Sequence, residues 1–205
     1  MKHQFFIFYF LFSSLFLFCQ TVTIGTQVWT SKNLDVSKFR NGDAIPLAKT
    51  NAEWELAGQL EQPAWCYFSN DAFYGTKYGK LYNWYAVNDP RGLAPKGFHI
   101  PSDVEWTILT NYLGGKLAAG TKMKSGSGWY ANGNGTNSSG FAGFPGGYRV
   151  SDGTFYDNGR HGPWWSATES ESSGAWHREL HYGNGSVDRG SISKQDALSV
   201  RCLGD

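Results

Sequence analysis

Cysteine is scarce in this chain, with 3 in 205 residues, too few for a cysteine-rich zinc module or a disulfide scaffold. Charge is scarce as well: charged residues make up 17%, below the ~25% usual for globular chains. Lys+Arg 18 against Asp+Glu 17 leaves a formal net charge of +1, and without a basic surplus or a basic run a nucleic-acid partner is excluded. Catalytic signatures are missing too. There is no Gly-x-Ser-x-Gly elbow, no Gly-x-x-x-x-Gly-Lys-Ser/Thr phosphate loop and no His-Glu-x-x-His, so the sequence predicts no enzyme and implies no resident cofactor or metal. What the chain does hold is 26 Gly, 9 Trp, 11 Tyr and 14 Phe. That is too aromatic for disorder, and the length suits one domain with a real core.

The first twenty residues read as an address. Lys2 and His3 precede a charge-free run from Phe5 to Phe18, the basic and apolar regions of a secretory signal, and polar chain follows at once. The run falls short of the ~20 apolar residues of a membrane span, and no transmembrane segment is expected once it is removed. The expectation is therefore a signal peptide at residues 1–20, cut near Cys19 or Gln20, and a secreted or outer-surface domain at 21–205. Cys19 also offers a lipid anchor, although Leu17-Phe18 lacks the small residue such a site normally shows. In an oxidising compartment the two remaining cysteines, Cys66 and Cys202, suggest one disulfide. Closing so long a loop contributes up to ~5 kcal/mol on the chain-entropy account. The alternative is two buried thiols that never meet.

Along the remainder, Thr21–Thr30 reads as a hairpin turning at Gly25-Thr26, Thr50–Leu60 as a short helix and Trp65–Phe68 as a strand. Leu81, Trp84 and Tyr85 form a helical stripe within Tyr78–Val87, stopped by Asn88-Asp89-Pro90. Ser102-Asp103-Val104-Glu105 is a capping box opening a second helix, whose stripe is Val104, Ile108, Leu109 and Tyr112 before Gly114-Gly115. From Lys116 onward glycine punctuates the chain every few residues, and only short strands are expected: 147–150, 164–167, 175–182, 187–192 and 199–203. Helices first and strands afterwards argue for an α+β domain.

Four ordered segments, Gly97–Trp106, Gly140–Arg149, Trp164–Glu169 and Ser199–Leu203, together with Ile24–Trp29 and Tyr78–Trp84, resemble the Fibrobacter succinogenes major paralogous domain. The resemblance spans about Val22 to Asp205. It implies an exported or surface protein with a C-type lectin-like fold, two helices flanking small loop-rich antiparallel sheets, and it implies no established activity. A lectin-type calcium site would need Glu-Pro-Asn or Gln-Pro-Asp and then Trp-Asn-Asp, because calcium takes six to eight oxygens. None of these tripeptides occurs, which leaves Asp152, Asp157 and Glu169 as oxygen donors elsewhere. Formylglycine-generating enzymes share the fold resemblance, but here the two cysteines stand far apart in sequence, and fold similarity is no evidence of activity.

Recognition is the remaining reading. Trp and Tyr offer flat apolar area with a polar tip, useful against sugars or protein partners as well as in cores. Most tryptophans are expected in the core. The loop candidates for a ligand site are Trp129, Tyr130, Tyr148, Arg149, Tyr156, Asp157, Arg160, His161 and Arg189. His177, Glu179 and His181 alternate along one strand and share a face, either as metal donors or as a solvated polar surface. Arg178 lies on the opposite face and needs a partner if buried, for which Glu169 is the candidate. The expectation is a non-catalytic domain binding a carbohydrate or a surface protein without calcium. Its rival is a structural assembly module of the cell surface with no free ligand.

Overall fold

The computed structural model describes residues 20–205; the expected signal peptide and Cys19 lie outside them, apart from Gln20. The elements, in order, are β1 (Thr21–Ile24), β2 (Gln27–Thr30), α1 (Asn51–Gln59), β3 (Trp65–Cys66), α2 (Ala72–Tyr78), β4 (Leu81–Asn83) and α3 (Trp84–Val87). There follow β5 (Phe98–His99), α4 (Asp103–Tyr112), α5 (Lys116–Met123), β6 (Tyr148–Arg149), β7 (Phe155–Tyr156), β8 (His161–Glu171), β9 (Gly174–His181), β10 (Asp188–Ser193), β11 (Ala197–Leu198) and β12 (Leu203–Gly204). The strands form three antiparallel sheets, ordered β1-β2-β12-β5, β10-β9-β8 and β3-β4-β11-β6-β7. Among the described residues the fold is thus mixed α and β, with five helices rather than two.

The expected hairpin pairs Thr21 with Thr30. α1 opens on a capping box of Thr50 with Glu53, and α4 on that of Ser102 with Glu105, where a capping side chain contributes about 1 kcal/mol. Behind these starts the helical stripes depart from expectation. α4 turns Trp106, Leu109 and Leu113 inward and leaves Val104, Ile108 and Tyr112 67%, 47% and 65% exposed. The cause is Trp106, whose indole packs 4.7 Å from that of Trp29 and donates to the Trp165 carbonyl. It claims the core side and rotates the smaller apolar residues outward.

The helix expected over 78–87 is broken. Gly79, at φ +70°, ends α2, and a Cβ there would lie 2.8 Å from the Leu34 carbonyl. Leu81–Asn83 then pairs with β3 and β11, and the Asn83 amide oxygen caps α3 by accepting from Ala86 N–H. Local periodicity yields to pairing because Leu81 and Tyr82 are both buried, one on each face. α5 is the converse case, a helix where none was expected. Its core face is Ala119, Gly120 and Met123, and Gly120 lies so close to the Ser186 carbonyl that a Cβ would be 2.2 Å from it.

Every tryptophan but Trp176 is buried. Consecutive residues of β8 divide between two cores: Trp164 joins Trp29, Trp106, Phe141 and Leu180, while Trp165 joins Tyr82, Trp84, Leu198 and Val200. Alternation across a strand buried on both faces makes β8 the wall shared by both clusters. The expected Cys66–Cys202 disulfide is absent. Cys66 packs in a third cluster with Trp54, Leu81 and Ala197, and Cys202 in the cluster of Trp165. The two thiols therefore lie in different clusters, and burial pushes the Cys66 thiol up to about 12 despite nearby Arg149.

Candidate functional site

The loop between β7 and β8, Asp157–Arg160, is flanked by Tyr156 and His161 and carries exposed Arg160. It is braced on three sides: Tyr130 N–H donates to Gly159 O, Gly147 N–H to His161 O, and Tyr182 N–H to Arg160 O. Asp157 takes φ +59°, and its carbonyl accepts from the N–H groups of both Arg160 and His161. From below, buried Lys124 donates to the carbonyls of Gly133, His181 and Asn184. It ties the glycine-rich segment to the end of β9.

Side chains then form one continuous row. Tyr156 packs on Tyr148 at 6.0 Å between ring centres, and Tyr148 donates its hydroxyl to Asp157 at 3.4 Å. Asp157 stands 3.9 Å from His161 Nε2, and His161 Nδ1 is 2.8 Å from the Glu179 carboxylate. His161 faces His181 across the strand pair, with ring centres 4.6 Å apart. His181 abuts Tyr182, which meets Tyr130 edge-on at 5.3 Å, and the Arg160 guanidinium lies 4.5 Å above the Tyr130 ring. Tyr130 and Tyr156 remain 52% and 46% exposed. Burial and the Asp157 carboxylate raise the Tyr148 hydroxyl, keeping it a donor. His181 is lowered by burial and by His161, and its Nδ1 accepts from Gly183 N–H.

Of the nine residues expected at a ligand site, the structure brings together Tyr130, Tyr148, Tyr156, Asp157, Arg160 and His161. The other three belong elsewhere. Trp129 is buried, its indole N–H shared between Ser125 Oγ and Gly143 O. Arg149 is fully buried and donates to the carbonyls of Gly153, Ala48 and Thr50. Arg189 lies on the opposite sheet face, where it holds Asp103 through two nitrogens and stacks 3.3 Å from the Trp176 ring centre. Arg178, buried, also takes Asp103, at 2.6 Å, and not Glu169, which instead pairs with Lys194. The reason is position: Asp103 opens α4 directly over the β9–β10 face. Three residues of the row, Glu179, His181 and Tyr182, were outside the expected site, although the alternation of His177, Glu179 and His181 carried part of the signal.

His177 shares the face of Glu179 and His181 yet does not join them. It is buried, its Nδ1 lacks a hydrogen-bond partner, and a Cβ on Gly190 would sit 2.7 Å from its ring. Among the described residues no group of three or more His, Cys, Asp and Glu is arranged to hold a metal ion. Burial, with Arg178 adding to it, pushes His177 down from 6.5 to about 4. The unfolded chain binds that proton first, so this residue's contribution to stability is full above pH 6.5 and is lost as pH falls toward 4. Asp196, raised by burial from 3.8 to about 6, has the opposite slope between those values. The difference between wild type and His177→Gln in urea titrations isolates the histidine: wild type is expected to lose stability relative to the variant as pH falls through this window. Parallel curves would show that His177 titrates normally.

The family model of the Fibrobacter succinogenes major domain matches residues 22–203, and the chain belongs to that family. No curated protein matches the chain.

Proposed function

We propose that this is an exported, non-catalytic recognition domain of C-type lectin-like architecture, residues 21–205 behind a signal peptide, which binds a carbohydrate without calcium at the β7–β8 loop. The observation that carries this reading is the row from Tyr156 to Tyr130. Two half-exposed tyrosine rings supply stacking faces, and between them lie carboxylate, imidazole and guanidinium groups suited to sugar hydroxyls. The loop is held by backbone hydrogen bonds, so little ordering cost falls on binding. Asp157 and Glu179 both turn to His161 and fix its imidazole within the row.

The test is a glycan and polysaccharide screen with calcium and again with a chelator. Binding is expected to survive the chelator and to weaken by about threefold to tenfold in Tyr130→Ala or Tyr156→Ala, the size of one aromatic contact, with unchanged thermal stability. Loss of binding on chelation, or indifference to both substitutions, would overturn the site.

A surface-assembly role has one observation of its own. Of the outward residues of α4, Tyr112 lies against Gly25 of the β1–β2 turn, and Ile108 lines a shallow depression with Val28, which is 39% exposed. Exposed apolar residues gathered at such a depression suit a protein neighbour. A stable complex disrupted by Ile108→Glu, with no glycan bound, would favour that role.

A further inference from the structure

A cavity lies away from the tyrosine row, between the segment after β2 and helix α2. It measures about 530 Å³ and is lined by Lys32, Asn33, Asp35, Thr76, Lys77 and Phe144, with Arg201 at its floor. That volume falls within the range of ~300–1,000 Å³ typical of small-ligand sites.

Its walls are fixed to each other. Asn33 Nδ2 donates to Tyr78 O at 2.8 Å, Lys80 N–H donates to Leu34 O, and Gly79 permits the close approach of the two segments. Asn33 Oδ1 accepts from both Trp164 Nε1 and Arg201 Nε, at 2.8 and 2.6 Å. One amide thus anchors the groove to the core. The cleft is therefore built before any ligand arrives.

Its charge is one-sided. Lys32, Lys77 and Arg201 line it against the single carboxylate of Asp35, and Lys80 Nζ already holds that carboxylate at 2.5 Å. Among the described residues neither Lys32 nor Lys77 takes part in an ion pair, and both residues are exposed. Lys77 Nζ instead sits 5.0 Å from the Tyr78 ring centre and 5.5 Å from that of Phe144. Tyr78 stacks on Tyr74, and Phe144 meets Tyr78 edge-on. An ammonium held against an aromatic ring, at the mouth of a cleft with concave low-dielectric walls, focuses positive potential into it.

We propose that this groove is a second binding site, for an anionic sugar residue. The acidic group would meet Lys32 and Lys77, the ring would lie against Phe144, and the hydroxyls would reach Thr76 and Asn33. A carboxylated and a sulfated sugar present the same chemistry to two ammonium groups, so the probes must separate them.

The proposal stands apart from the reading of the β7–β8 loop, and calorimetric titration of the protein made from its full chain tests both. Three probes are used: trigalacturonate, a sulfated galactose trisaccharide and neutral cellotriose. At least one anionic probe is expected to bind and to weaken as salt is raised, the tighter of the two naming the acidic group. The double variant Lys32→Ala, Lys77→Ala is expected to lose about tenfold or more in affinity, the size of one lost charged hydrogen bond. Lys77→Arg, with Lys32 kept, is expected to retain binding, and Tyr156→Ala to leave it unchanged. Anionic probes that bind no better than cellotriose, or that ignore the double substitution, would overturn the groove. Cellotriose binding lost only in Tyr156→Ala, with both anionic probes silent, would sink the groove and leave the loop site standing.

Discussion

Arg149→Ala is expected to lower unfolding free energy by about 3–4 kcal/mol, since each buried carbonyl left without its partner costs ~1–3 kcal/mol and water recovers only part of it. The guanidinium is fully buried and donates to Ala48 O at 3.0 Å, Thr50 O at 3.0 Å and Gly153 O at 2.9 Å. It also lies 4.9 Å from the Trp54 ring centre and 4.7 Å from that of Phe155. A single side chain therefore joins the start of α1 to the β6–β7 hairpin, segments about a hundred residues apart in sequence. Urea titration should show an earlier midpoint with an unchanged slope, and the glycan binding proposed for the Tyr130–Tyr156 row should persist in the surviving folded fraction. An unaltered midpoint with lost binding would return Arg149 to the ligand site.

Trp165→Ala should cost about 3–5 kcal/mol, the range for emptying a buried tryptophan site. Its ring is fully buried, and its indole N–H donates to Tyr82 O at 2.7 Å. Its own carbonyl accepts from Trp106 Nε1 and its N–H donates to Ser199 O. The alanine variant keeps those backbone bonds but opens a cavity beside Trp84, Leu198 and Val200 and leaves Tyr82 O without its donor. Because β8 is the wall between two clusters, the loss is expected to reach both, read as reduced near-ultraviolet circular dichroism along with the lower midpoint. A shift no larger than that of Tyr156→Ala would mean that the strand repacks freely.

Both residues show how far the sequence could be read. Trp165 sits in a run, Trp164-Trp165-Ser166-Ala167, whose composition and length predict a strand, and the strand is there. Arg149 sits beside Tyr148 in a glycine-rich stretch, where a charged residue reads as exposed. Nothing local reveals that Ala48 and Thr50 will supply carbonyls to it. Trp129 was misplaced for the same reason, because Ser125 and Gly143 close over its indole only when the glycine-rich loops fold back.

The helices divide along the same line. The boxes of Thr50 with Glu53 and Ser102 with Glu105 act within four residues, so the helix starts were legible. The stripe at Leu81, Trp84 and Tyr85 fits a helix equally well, but β3 and β11 are the stronger partners. The candidate site is divided too. Tyr130, Tyr156, Arg160 and His161 were recognisable as site candidates, although Tyr156 ends β7 and His161 opens β8, while Glu179, His181 and Tyr182 enter because the β8–β9 register sets His161 opposite His181. Lys32 and Lys77 carry no signal at all in sequence, being ordinary lysines until Asn33 and Gly79 draw their segments together.

By itself, then, the sequence determined the family through its ordered motifs, and it determined the mixed α and β composition, the Ser102–Glu105 cap of α4, most of the strands and the aromatic core, because these rest on local hydrogen bonding and on the preference of apolar area for burial. The tertiary structure alone decided which face of α4 is buried, where Arg149, Arg178 and Trp129 point, that Cys66 and Cys202 lie in different clusters, and which loops converge. Those outcomes depend on partners distant in the chain, and contact between distant segments follows from strand register and close backbone approach, which no local pattern encodes.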